Sequence, residues 1–163
     1  MSNDYRNTNY CPKLGSVTSK KKDLQKKIES QYPNHKNFYS IISKKKGNHR
    51  EDFANIYNRK CAYCGVSLEI MPIFEVDHYI PKKLFSSEDD TGQIDNLVYS
   101  CFSCNRNKRD FKINNQYVTL LNPDNGNIAK LFIRADDYSI QIQKKYEADN
   151  IIQAFYKKLH FDF

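Results

Sequence analysis

Phe74-Glu75-Val76-Asp77-His78-Tyr79-Ile80-Pro81-Lys82 is the stretch on which the reading of this chain turns. Ile73 to Val76 is rich in β-branched and aromatic side chains, which predicts a strand, and that strand ends in an adjacent carboxylate and imidazole. The stretch is bracketed by two C-x-x-C pairs, Cys61-Ala62-Tyr63-Cys64-Gly65 and Cys101-Phe102-Ser103-Cys104. A C-x-x-C turn presents both sulfurs on one side of a tight loop, and two such turns complete a tetrahedron around Zn²⁺. With four thiolates bound, no water has room on the metal. Cys61, Cys64, Cys101 and Cys104 therefore read as a structural zinc site that supplies folding free energy. The pairs stand further apart than in a compact ribbon, so a sub-structure is looped out between them. Chance-spaced buried thiols are the bland alternative. A redox C-x-x-C is disfavoured by the presence of two pairs and the lack of a thioredoxin-like pattern around them. Cys11, left over, reads as a free thiol.

Working outward, Leu97-Val98-Tyr99 predicts a second, very short strand, and residues 102 to 110 a polar helix. Pro81 and the acidic run from Ser86 to Gly92 predict a long loop. Upstream, Phe53, Ile56 and Tyr57 fall at helical spacing ahead of Cys61. Leu24 and Ile28 suggest a short basic helix that Pro33 interrupts, and Phe38, Ile41 and Ile42 a weaker one; the first 35 or so residues are expected to be structured only in part. Downstream, Tyr117–Leu121 and Ala129–Ile133 around Asn122-Pro123-Asp124-Asn125-Gly126 predict a β-hairpin. Ile151, Ile152, Phe155 and Leu159 predict a helix packed on the core.

The 163 residues suit one domain, and a mean hydropathy of −0.79 predicts a modest core that benefits from a bound metal. No apolar run approaches the ~18 residues a membrane span needs, and no apolar segment follows Met1, so a cytoplasmic setting is the default expectation. The net charge of +7 is uneven: residues 1–50 carry twelve Lys/Arg against three acidic residues, and residues 51–163 fourteen against sixteen. Such a basic third suits a polyanion, nucleic acid first, and equally a solvated lysine-rich surface. Tyr10, Tyr32, Phe38 and Tyr39, interleaved with lysines, suit either base stacking or local packing. His35, His49 and His160 read as surface or structural.

Taken in order, C-x-x-C, then D-H-x-x-P, then Asn96-Leu97, then C-x-x-C followed by Asn105-Arg106-Asn107-Lys108, the motifs over residues 50 to 112 resemble the HNH endonuclease family. The resemblance implies a ββα-metal core (His-Me finger, treble-clef-like) with structural zinc. The expected fold is α+β, that core carrying flanking helices and a C-terminal hairpin plus helix. The expected segments are a basic, partly helical N-terminal arm (1–48), the nuclease core (49–115), and the hairpin with its packing helix (116–163). The resemblance further implies His78 as general base, Asp77 and Asn105 as ligands of a catalytic ion, and Asn96 as the asparagine that holds the loop and the His78 backbone. Many family members carry histidine where this chain has Asn105; the amide shifts the expected ion to Mg²⁺ or Mn²⁺. Lys82, Arg106, Lys108 and Arg109 are the candidate contacts to nucleic acid.

The chemistry is consistent with those roles. Phosphodiester hydrolysis needs a deprotonated water and cationic charge on the phosphate, and an imidazole with a pKa near 6.5 accepts that proton at neutral pH. Taken singly, each residue has a bland counterpart: a hydrogen-bonded Asp-His pair, a turn asparagine, an unremarkable helix asparagine. The function the resemblance implies is cleavage of DNA to a 5′-phosphate and a 3′-hydroxyl. Two rivals stand beside it, a zinc-knuckle module that binds nucleic acid without cutting, and a nuclease subunit of a defence or restriction system that a partner such as an ATPase licenses. One site per chain cuts one strand, so a double-strand break calls for a homodimer or two visits.

Overall fold

The computed structural model describes residues 4–7 and 13–162; Tyr10 and Cys11 lie outside them. Three helices come first, α1 (Val17–Gln31), α2 (Phe38–Ile42) and α3 (Asn48–Ile56). In α1, Val17, Lys21, Leu24 and Ile28 recur every three or four residues and bury one stripe. Of the N-terminal region, expected to be structured only in part, the described residues include the buried stripe of α1 together with buried Tyr5 and Arg6, while residues 29–36 are exposed. Several cations of this lysine-rich region turn inward. Lys21 donates to the Leu97 carbonyl and pairs with Asp124. Arg6 donates to the carbonyls of Ala62 (2.8 Å) and Pro123 (2.7 Å), and Arg50 to that of Phe74.

The centre is an antiparallel pair, β1 (Phe74–His78) and β2 (Leu97–Cys101), with Phe74 opposite Cys101 and His78 opposite Leu97. The intervening loop contains one short helix, α4 (Glu88–Thr91), whose N-cap Ser87 accepts from Asp90 N. Helix α5 (Phe102–Lys108) follows β2 without a linker and ends where Arg109 turns to φ 46°. Strand alternation sorts β1 by face. Glu75 and Asp77 meet residues of α5, whereas the Phe74 ring stacks on Tyr99 at 4.7 Å, and Tyr99 meets Phe53 and Tyr57 of the α3 segment. The β-β-α unit is therefore held between its own helix and the N-terminal helical layer.

The C-terminal hairpin is displaced from its expected place. Residues 118–121 form helix α6 (Val118–Leu121), and two 3-10 turns follow, Pro123–Asn125 and Ile128–Lys130. Asn122 Oδ1 accepts from Asp124 N at 2.8 Å, Pro123 starts its turn, and Gly126 ends it with φ 74°. These turn residues cap helical turns instead of closing a strand pair. The hairpin is β3 (Phe132–Arg134) with β4 (Ile140–Ile142). Helix α7 (Asn150–Lys158), capped by Asp149, then returns Phe155 against Phe111 and Tyr63. Helices and small sheets together make an α+β fold. Among the described residues, no helix is long and apolar enough to cross a membrane.

Candidate active site and metal centre

The four knuckle sulfurs all lie within 4.8 Å of one another. Sulfurs ~2.3 Å from a common tetrahedral centre stand ~3.8 Å apart, so the cluster fits a Zn²⁺-sized ion. Cys64 Sγ and Cys101 Sγ, at 3.9 Å, are far beyond disulfide length, and none of the four cysteines forms a disulfide. Local folding builds the arrangement. Gly65 N returns to Cys61 O (2.9 Å) and Cys61 N bonds Val66 O, closing the first knuckle; Ala62 N bonds Tyr99 O (2.9 Å), tying it to β2. Gly65 sits at φ 78°, and a Cβ there would clash with the Arg6 main chain, so glycine is required on both counts. Cys101 ends β2 and is also the N-cap of α5, which places the second knuckle at the strand–helix junction.

His78 ends β1 half-buried. Its ring lies 4.3 Å, centroid to centroid, from that of Tyr39, and Lys82 Nζ stands 4.8 Å from the same Tyr39 ring. Burial, then the charges of Lys82 and Lys108, lower the imidazole pKa to about 4, so the ring is neutral at pH 7. Neither ring nitrogen bonds a protein group among the described residues. Buried Asn96 accepts from Ile80 N (2.8 Å) and donates to the carbonyls of Ile80 (3.1 Å) and Thr91 (3.0 Å), while its own carbonyl receives Tyr79 N (2.8 Å). It thereby clamps the two residues that follow His78.

Asp77 is 5% exposed and accepts from Tyr63 Oη (2.8 Å) and from Lys108 Nζ (2.9 Å). Burial raises its carboxyl pKa, and Lys108 and Tyr63 pull against that rise. Lys108 is fully buried and also donates to the His78 carbonyl (2.9 Å), so its ammonium faces the site's interior, away from the phosphate-facing position expected of it. Asn105 donates its amide to Glu75, which Arg106 also meets at 2.8 Å. Asp77 and Asn105 lie on the same side of β1 and do not hydrogen-bond each other. Asn105 Oδ1, without a protein partner among the described residues, and the carboxylates of Asp77 and Glu75 are hard oxygen donors, and both Asp77 oxygens are already bonded by Tyr63 and Lys108. Lys82, Arg106 and Arg109 are exposed. Tyr63, Glu75 and Tyr39 do not stand out in the sequence as site residues. Glu75 carries a signal, standing two residues before Asp77 on the same strand face; Tyr39 carries a general one, as an aromatic among lysines suited to base stacking or local packing, and Tyr63 carries none.

Residues 61–111 match the family model for HNH endonuclease. No curated protein and no solved structure matches the chain. The HNH segment contains both knuckles, β1, β2 and α5, together with Asp77, His78, Asn96 and Asn105. Helices α1 to α3 and everything after Phe111 lie outside it, so Tyr39, which touches His78, comes from beyond the HNH segment.

Proposed function

We propose that the protein is a metal-dependent endonuclease that hydrolyses phosphodiester bonds in DNA, with Zn²⁺ held by the four cysteines as a structural ion. The observation that carries this reading is the placement of His78, whose imidazole stands at the end of β1 with ring nitrogens that no described protein group occupies. Such a base can take a proton from water. Asn96 fixes the backbone that follows it, so the ring is presented from a rigid strand end. Exposed Lys82, beside Tyr39, supplies cationic charge to a phosphate approaching that edge. Asp77 and Asn105 would hold Mg²⁺ or Mn²⁺, which when bound supplies Lewis-acid charge to the phosphate and the departing oxygen. The roles of the protein groups are then distinct: His78 accepts the proton of the attacking water, Asn96 keeps the base in place, and Lys108 sets the position of the Asp77 carboxylate.

The test is supercoiled-plasmid cleavage with Mg²⁺ or Mn²⁺, comparing the wild-type protein with His78→Ala at matched zinc content. Nicking or linearisation by the wild type alone supports the reading. If neither protein cuts while both bind DNA, the stand-alone nuclease is excluded.

A further inference from the structure

Among the described residues, no hydrogen-bonding group fixes the imidazole of His78 in the way usual for a histidine base. In many sites one ring nitrogen donates to a carboxylate or carbonyl, which sets tautomer and orientation. Here the neighbouring carboxylate, Asp77, is already bonded by Tyr63 and Lys108, and no described carbonyl reaches the ring. What meets it is the Tyr39 ring, 4.3 Å away and inclined at 41°. We propose that Tyr39, contributed by α2 from outside the HNH segment, is the positioning residue that orients His78 through ring packing. The inference rests on the nuclease reading for its kinetic consequence, though not for its structural one.

Tyr39 is itself held in place. Buried Phe38, Ile41 and Ile42 anchor α2 around it. Its amide bonds the Gly92 carbonyl (3.3 Å), and Gln93 Nε2 bonds the Lys36 carbonyl (3.1 Å). Asn37, the N-cap of α2, lies so close to Gly92 that a Cβ there would clash with its Oδ1. The loop at residues 91–93 is therefore clasped from two sides, by α2 through these contacts and by Asn96 through the Thr91 carbonyl. The same loop thus links Tyr39 to the asparagine that fixes the backbone after His78. Lys82, over the Tyr39 ring, adds a cation to the aromatic pair. The ring, not the hydroxyl, makes these contacts, so phenylalanine preserves them and alanine removes them.

The test uses the full-length zinc-loaded protein as wild type, Tyr39→Ala and Tyr39→Phe. The first readout is the His78 imidazole proton signals, assigned by their loss in His78→Ala. Tyr39→Ala is expected to shift them more than those of any other histidine as the ring current disappears, and Tyr39→Phe to restore them. The second is cleavage at saturating and sub-saturating plasmid. A misoriented base lowers kcat about 10- to 100-fold with KM little changed, and Tyr39→Phe recovers most of the loss. Unmoved His78 signals in a folded Tyr39→Ala protein overturn the proposal, as does wild-type kcat in that variant. A loss carried by KM alone, or shared equally by Tyr39→Phe, also overturns it, since substrate contact or the hydroxyl would then be responsible. If the wild type cuts nothing, the nuclease reading falls, and the proton signals alone decide the positioning of His78.

Discussion

The Lys108 ammonium, fully buried at the end of α5, stands 2.9 Å from a carboxylate oxygen of Asp77 on β1, and the same ammonium holds the carbonyl of His78. One cation thus fixes both residues of the Asp-His pair, one through its side chain and the other through its main chain. Removing it leaves a carboxylate in a nearly water-free place, so Lys108→Met is expected to cost about 3–5 kcal/mol, read by urea unfolding. A loss below about 1 kcal/mol would show that the pair is solvated.

Lys108 and Lys82 should also separate in their response to salt. Lys82 is exposed and Lys108 is not. The slope of log affinity for duplex DNA against log salt is expected to weaken by about one in Lys82→Ala. In Lys108→Met, at a temperature where it remains folded, the slope is expected to stay at the wild-type value. Equal slopes for wild type and Lys82→Ala would remove Lys82 from the phosphate track.

His78 predicts a pH dependence with a defined sign. Its folded pKa, about 4, lies below the free value near 6.5, because burial and two lysines disfavour the cation. The unfolded chain therefore binds the proton first. Stability from this group is fully present above about pH 6.5 and is lost as pH falls from there toward 4. A histidine titration followed by NMR without added divalent ion should show one imidazole still neutral at pH 5, absent in His78→Ala. A normal midpoint for His78 would contradict the closed environment described above.

Asn96 makes three side-chain hydrogen bonds to main chain, two part-buried at Ile80 and one buried at Thr91. Asn96→Ala leaves the amide of Ile80 and two carbonyls unpaired and is expected to cost about 1–3 kcal/mol in unfolding. Asn96→Asp should cost at least as much, since it turns a carboxylate oxygen toward the carbonyls of Ile80 and Thr91. Wild-type stability in both variants would show that the clamp is dispensable.

The knuckles predict a stoichiometric metal. Mass spectrometry under native conditions is expected to find one Zn²⁺ per chain, lost in Cys101→Ser together with most of the cooperative unfolding transition. Retention of a sharp transition without zinc would show that the surrounding apolar core holds the fold alone.

Features written in local spacing are legible in the sequence. The two C-x-x-C pairs converge, Asp77 and His78 end a strand, and Asn96 grips the chain just beyond them, because ligands, strand alternation and turn residues act over a few positions. Features set by distant contacts are not. Tyr39 reaches His78 across a helix whose place depends on the whole N-terminal layer. Lys108 carries a weak clue: it lies four residues after Cys104 and so shares that residue's buried side of α5, but a lysine is ordinarily read as solvated. The misplaced hairpin has the same origin, since Asn122-Pro123-Asp124 serves a helical cap as readily as a strand turn.

Arg6, Lys21, Arg50 and Arg134 all lie outside residues 61–111, yet each donates to a main-chain carbonyl within that span, at Ala62, Leu97, Phe74 and Cys64 respectively. The span is thus no portable cassette. Grafted onto another scaffold, it would carry its sulfurs and its histidine but leave four carbonyls stripped of the donors that bond them here.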